Sequence, residues 1–435
     1  MTLGSAVWLK RISGLALAWA APVAAIMPSV DAPELAKPGA FGIGYRTLHL
    51  VHPNQPDLET PQDRQTPNLR RDRQLTIDLW YPATLPNRAK TMVYRNSLWG
   101  EPPRDPVTFT HKGAAVANAK PIGSRHPLII LSHGYSNAPA LMTWLTENLA
   151  SKGYVVAGIR HADPNPYIAA PSVRAAPFYL RPSDISFVAG QLRPLLGTQI
   201  DPDNLALIGY SQGGYGVLTA GGASLDPNHP LMAQVAHGAL KAIARGSAGA
   251  ETIRVHGVKA IIALAPAGGG WPHIWGNGLA DIKAPLLLIA GDADPVVGYE
   301  KAARAFFEEA RHSDRYLLTF RQAGHAIALN AAPAAMRQSL WDLDWFEDPI
   351  WRQDRVSAIN LHFITAFLAR HLRNAHTMQS YLDVATETSD LGTWDAPPGT
   401  AWGAYSPGGP GVTLWKGFQR RHAQGLRLEH RAAQD

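Results

Sequence analysis

Leu205-Ala206-Leu207-Ile208-Gly209-Tyr210-Ser211-Gln212-Gly213-Gly214 is an apolar run that ends in the pattern G-x-S-x-G, and Val217 to Ala220 carry on after it as a helix. At a strand-to-helix turn this spacing has a steric meaning. The turn holds the serine in a strained backbone conformation with its hydroxyl exposed, and a side chain at either flanking position would collide with neighbouring chain. A helix that begins at the serine also aims free N–H groups and a partial positive charge at any oxyanion formed there.

The run before Gly209 has counterparts on both sides. Pro127 to Ser132, Tyr154 to Ile159, Val258 to Ala265 and Pro285 to Ala290 are short, nearly unbroken apolar stretches. Strands of this kind are buried on both faces, as in a parallel sheet covered by helices. Between them, Pro139 to Lys152, Arg181 to Leu196, Tyr299 to Arg311 and Arg355 to Leu372 carry apolar residues at spacings of three and four, for example Ile359, Phe363 and Phe367. Arg73 to Pro82 differs. Leu75, Ile77 and Leu79 alternate with Thr76 and Asp78, so this strand is expected near a sheet edge.

A serine nucleophile needs a base, and the base needs a group to orient it. Gly291-Asp292-Ala293-Asp294 follows one apolar run, and Ala323-Gly324-His325 follows the stretch Tyr316 to Phe320. His325 is the expected base, with Asp292 and Asp294 as candidate orienting acids. A serine, an acid and a histidine, each just past the end of a strand and in this chain order, resemble the serine α/β-hydrolase superfamily. LTIDLWYPA (75–83), LSHGYSN (131–137), RPSDISFVAGQL (181–192), GYSQGG, GDADPVV and AGH are similar to the dienelactone-hydrolase-like and platelet-activating-factor-acetylhydrolase-like esterases over roughly 73–372.

That resemblance implies an α/β-hydrolase fold: a mostly parallel central sheet with helices on both faces plus inserted loops. It implies a carboxylic ester hydrolase in which Ser211 attacks, His325 is the base and Asp294 the acid, since the family acid usually lies about three residues past the glycine. Asp292 would then cap the turn. The oxyanion donors would be the backbone N–H groups of Gln212 and of Tyr135, in the loop His133-Gly134-Tyr135. The chain departs from its relatives in two places. It has no Cys, so it cannot supply the cysteine nucleophile of true dienelactone hydrolases, and Tyr210 stands where the acetylhydrolases usually have His. It is also similar to secreted polyester hydrolases, which commonly carry disulfides. A peptidase or acyltransferase on the same triad, or a binding protein with a relic triad, are the alternatives.

Composition fits that expectation. The chain has 435 residues, 46% hydrophobic and 17% charged, with 39 Gly and 35 Pro that form no repeat, which excludes disorder and collagen-like order. Its net charge of +6 is spread without a long basic run, so nucleic acid is not an expected partner. The basic stretch Arg420, Arg421, His422, Arg427, His430 and Arg431 reads as a solvated face. Zero Cys excludes disulfides and Cys-ligated zinc. No cofactor and no metal are expected.

Lys10 and Arg11 precede a largely apolar stretch, Ile12 to Met27, which is too short and too interrupted by Ser13, Gly14 and Pro22 to serve well as a membrane anchor. Residues 1–25 therefore read as a signal peptide. The mature chain is expected to be exported, periplasmic or secreted, without stable membrane insertion. A hydrolase domain is expected over 41–373, with insertions near 87–123 and 226–256, and then a Trp-, Gly- and Pro-rich extension over 374–435. Several pieces keep two readings. His161 and Asp163 are metal or substrate ligands, or hydrogen-bond partners within a loop. Gly268-Gly269-Gly270-Trp271 lines a pocket or is a flexible loop. Trp394, Trp402 and Trp415 bind an apolar substrate or cover the sheet.

Overall fold

The computed structural model describes residues 31–58, 69–99, 105–235, 238–270, 272–394, 398–399, 412–419 and 421–434. Residues 1–25, read from sequence as a signal peptide, and Trp271, Trp402 and Arg420 lie outside the described residues. The strands are β1 (Gly42–Pro56), β2 (Arg70–Thr84), β3 (Thr91–Leu98), β4 (Val107–Ala117), β5 (Lys120–Pro121) and β6 (His126–Ser132). They continue with β7 (Val155–Arg160), β8 (Ile200–Tyr210), β9 (Val258–Leu264), β10 (Leu286–Gly291), β11 (Arg315–Phe320) and β12 (Leu426–Arg431). The α-helices are α1 (Thr143–Ser151), α2 (Pro171–Arg174), α3 (Pro177–Leu196) and α4 (Gln212–Ala220). After them come α5 (Leu231–Gln234), α6 (Ala305–Glu309), α7 (Leu340–Asp344) and α8 (Gln353–Leu372).

All the strands join one sheet in the order β12-β11-β10-β9-β8-β6-β7-β2-β1-β4-β3, with β5 added alongside β2. The six strands from β11 to β7 are mutually parallel. β12 closes one side antiparallel to β11, and β2 pairs antiparallel with both β7 and β1. The unbroken apolar runs form the parallel part because their two faces are both covered. Ile129 and Leu131 of β6 join a core with Leu145 of α1 and Ile359, Phe363 and Phe367 of α8. Leu128 and Ile130, one pleat away, join the opposite core with Ile185 and Val188 of α3 and Val217 of α4.

The expectation that Arg73 to Pro82 lies near an edge is overturned. β2 has β7 on one side and β1 on the other, and β4 and β3 extend the sheet further out. Thr76 stays partly exposed beside His49, but Asp78 is an interior ion-pair site rather than a solvent-facing one. Asp78 is fully buried, where Arg160 of β7 donates to it through Nε at 2.7 Å and Nη2 at 2.9 Å and the Tyr45 hydroxyl at 2.6 Å. Within 87–123 the chain forms the antiparallel pair β3 and β4. The segment after α8 returns to the sheet as β12, and there Arg427 pairs with Glu429 and His430 with Asp314. Trp415 is buried against Phe363 and Phe418 under α8, with its indole N–H on the Thr386 carbonyl at 2.8 Å.

Candidate active site

The C-terminal ends of β8, β10 and β11 deliver the three residues on which the sequence converged. Ser211 sits between β8 and α4 with φ 52° and ψ −117°, a conformation that few non-glycine residues adopt. Neighbouring strands hold it there: its N–H donates to Leu264 O at the end of β9 at 2.9 Å, and its carbonyl accepts from Ala267 N at 3.0 Å. The two glycines around it are required by close approach. A Cβ on Gly209 would lie 2.2 Å from the Gly213 carbonyl oxygen, and one on Gly213 would lie 2.0 Å from Ser132 O. Gln212 opens α4, so its N–H lies in the first helical turn, where no intrahelical acceptor is available.

His325 Nε2 lies 3.0 Å from Ser211 Oγ, and its Nδ1 lies 2.7 Å from Asp294 Oδ2. A carboxylate only accepts, so Nδ1 carries the proton and Nε2 presents its lone pair to the serine hydroxyl. The other Asp294 oxygen accepts from the N–H groups of Val296 at 2.8 Å and Val297 at 3.1 Å. Burial would raise the Asp294 pKa, but the bond and charge of His325 together with these two N–H groups outweigh it and hold the carboxyl below its ordinary value. Asp292 goes elsewhere, accepting from Gln322 N at 2.5 Å and so fastening the turn after β11.

Further contacts fix the histidine loop. The hydroxyl of Tyr210 donates to the His325 carbonyl at 3.1 Å, and Gly324 N donates to Asp348 Oδ2 at 2.6 Å. Neither was assigned from sequence. Ser211, His325, Tyr135 and Tyr210 share a cavity of about 610 Å³ whose wall is mainly apolar, with Pro295, Val296 and Trp345. The hydroxyl of Tyr135 is itself buried, with no hydrogen-bond partner among the described residues. Trp345 and Asp348 belong to a segment with no periodic signal to mark it.

His161 and Asp163 lie beneath the His133–Ser136 loop, in a buried polar network. His161 Nδ1 meets Asp184 Oδ2 at 2.8 Å and its Nε2 meets Ser132 Oγ at 3.0 Å, while Arg73 holds the same Asp184 through Nε at 2.9 Å and Nη2 at 3.0 Å. This second serine, histidine and aspartate chain is closed to solvent, with Ser132 and Asp184 fully buried. Among the described residues, no group of three or more His, Asp or Glu side chains could hold a metal ion.

Burial, with Arg181 adding to it and Asp184 opposing it, pulls the His161 pKa from its usual 6.5 down to about 4. The unfolded chain therefore binds a proton there that the folded chain refuses between those two values, and stability falls as pH drops through that window. At lower pH, Asp184 adds to the loss: burial raises its pKa, but Arg73 and His161 more than compensate, so its carboxyl is depressed and its stabilising charge disappears as the group protonates. Urea unfolding should show a midpoint that drops steadily from pH 7.5 to pH 4.5, and His161→Gln should flatten that dependence by about one proton. An unchanged slope in the variant would mean that His161 is not the group responsible.

Comparisons with known proteins find esterases among those similar to this chain. Residues 106–173 match the family model described as platelet-activating factor acetylhydrolase, isoform II. Cutinase 2 of Thermobifida cellulosilytica is 26% identical over 179 residues, which is 41% of this chain and 52% of that protein. The chain is thus similar to esterases, and its mostly parallel sheet flanked by helices is an α/β-hydrolase-like architecture. The chain spans about half the length of the curated relative it matches. A solved structure, the ferulic acid esterase from Streptomyces cinnamoneus, is 20% identical with a TM-score of 0.48 over 79% of this chain and 94% of the other.

Proposed function

We propose that this α/β-hydrolase cleaves carboxylic esters through an acyl-enzyme on Ser211. The observation that carries the reading is the continuous hydrogen-bonded chain from Asp294 through His325 to Ser211 Oγ at the wall of an apolar cavity. The names of the relatives, an acetylhydrolase family and a cutinase, support the same class of substrate.

In this reading His325 Nε2 takes the hydroxyl proton as Ser211 Oγ attacks the ester carbonyl. Asp294 keeps the imidazole in the tautomer that can accept that proton, and then stabilises the cation that results. The N–H groups of Gln212 and Tyr135 receive the developing oxyanion. His325 passes its proton to the alcohol as the tetrahedral intermediate collapses, then activates water for deacylation. The apolar wall suits an uncharged acyl or aryl group.

The basic and apolar pattern of residues 10–27 supports export as part of this proposal, and the scattered charge supports a small ester rather than a nucleic acid as the partner. Among the described residues, no helix is long and apolar enough to cross a membrane.

Purified protein should hydrolyse p-nitrophenyl esters of short and medium acyl chains and leave peptide anilides untouched. Turnover should persist in both EDTA and a reducing agent, because the proposed mechanism uses neither a metal nor a disulfide. Loss of turnover in EDTA with recovery on adding zinc or calcium would overturn the mechanism, as would anilide cleavage faster than ester cleavage.

A further inference from the structure

Arg181 is a fully buried guanidinium that the ester-cleaving chemistry does not use directly. It extends from α3 to the underside of the loop after β6, where Nη1 donates to His133 O at 2.5 Å and to Ser132 Oγ at 3.2 Å. Its Nη2 donates to Gly134 O at 3.1 Å and pairs closely with Asp163 Oδ2, whose Oδ1 accepts from Arg181 Nε at 3.3 Å. Asp163 Oδ2 also accepts from Ser136 N at 2.8 Å.

Tyr135 is thus flanked by two peptide units that are both held from the same ion pair. The Gly134–Tyr135 unit is held by its carbonyl, on Arg181 Nη2 and on the protonated His133 Nδ1 at 2.7 Å. The Tyr135–Ser136 unit is held by its N–H, on Asp163. In a planar trans peptide the C=O and N–H point in opposite directions. With the Gly134 oxygen drawn onto the guanidinium, the Tyr135 N–H of the same unit points away from Arg181 and out of the buried network. Ser136 adopts φ 56°, so the loop follows an unusual path that these contacts hold in place.

We propose that Arg181 and Asp163 are positioning residues for ester hydrolysis, a clamp that sets the peptide plane whose Tyr135 N–H receives the oxyanion. This rests on the functional reading given for Ser211. The charge pair suits the task because a planar guanidinium reaches two carbonyls and a carboxylate at once, which a lysine ammonium on a flexible stem does not reproduce. It also gives RPSDI, at 181–185, and His161-Ala162-Asp163 a common place: Arg181 and Asp163 clamp the loop, while Asp184 and His161 form the adjoining closed relay. The Arg181–Asp163 pair holds the loop through the His133 and Gly134 carbonyls and the Ser136 N–H and does not line the cavity, so it acts through the loop and not on substrate.

The test compares wild type with Arg181→Lys and with the milder Asp163→Asn, using p-nitrophenyl butyrate and a trifluoromethyl ketone whose adduct with serine carries an oxyanion. Active sites are counted by stoichiometric fluorophosphonate labelling. Losing a whole oxyanion donor costs about 10²–10³ in kcat. A tilted donor should therefore cost about 10- to 100-fold per labelled site in Arg181→Lys and about threefold to tenfold in Asp163→Asn. KM should move by less than about threefold, the ketone inhibition constant should rise in step with the fall in kcat/KM, and the acid limb of the pH–rate profile should stay in place, because His325 and Asp294 are untouched.

Variants that keep wild-type kcat per labelled site and wild-type ketone affinity would overturn the inference, however few molecules fold, since the clamp would then serve stability alone. Where Arg181→Lys fails to fold, Asp163→Asn decides on the same readouts. A wild type without Ser211-dependent turnover would instead overturn the functional reading, and the inference with it.

Discussion

Ser211→Ala is expected to lower kcat by a factor on the order of 10⁴ or more, leaving only what the oxyanion donors and substrate binding provide. The expected fold of the variant is unchanged. Alanine at 211 meets the same positive φ as serine, and the backbone bonds to Leu264 and Ala267 do not involve the hydroxyl. What disappears is one partly buried hydrogen bond to His325, worth about 1 kcal/mol to stability. KM should stay within a few-fold, because the cavity wall is built by other side chains. A fluorophosphonate probe should label wild type at Ser211 and leave the variant unlabelled. Persistent labelling at another serine, with turnover to match, would move the nucleophile. Ser132 would not be its replacement, since its hydroxyl is engaged by His161 and Arg181 with no solvent access.

The parts of this molecule that could be read from sequence are those where one physical constraint dominates. β6, β8, β9 and β10 are covered on both faces, so each appears as an uninterrupted apolar run, and the helices on either side show the three-and-four spacing of a single buried stripe. The elbow at Ser211 was equally legible, because the steric limits at Gly209 and Gly213 leave no other residue type possible at a turn this tight. In β2 two constraints overlapped. Asp78 alternates with apolar neighbours as it would on a solvated face, yet it is buried because β7 supplies Arg160 as its partner 82 residues later in the chain. Alternation reports where polar side chains fall, and it does not distinguish water from a buried counter-charge.

Long-range partnership is also what hid the support around the site. Arg181 meets Asp163 and the carbonyls of His133 and Gly134 only after α3 has packed beneath the loop, so a reading of local pattern sees a charged residue near a helix start. Tyr210 posed the same difficulty. Next to the serine it looked like a departure from the acetylhydrolase pattern, but its hydroxyl supports the carbonyl of His325 and its ring lies 5.2 Å from the imidazole. The wall segment 344–349 carries Trp345 and Asp348 into the cavity on a helix end and a loop, where no hydrophobic period exists to announce them.

The two acids after β10 make the sharpest separate test, because they sit two residues apart and have opposite tasks. In Asp294→Asn the side-chain oxygen can still accept from Val296 and Val297, but the amide then turns its NH₂ toward His325 Nδ1. That favours the tautomer protonated on Nε2, which has no lone pair for the proton of Ser211, and it removes the anion that stabilises the imidazolium. The expected cost is about 10³ to 10⁴ in kcat with little change in KM. In Asp292→Asn the replacement oxygen can keep the bond to Gln322 N, so the turn survives and kcat should stay within about threefold, with a stability loss of about 1 kcal/mol at most. The comparison controls for net charge, since both variants remove one negative charge from the same turn after β10. Equal losses in the two would point to general electrostatics as the cause. A larger loss in Asp292→Asn would make Asp292 the orienting acid, with the bond between His325 and Asp294 reduced to a structural contact.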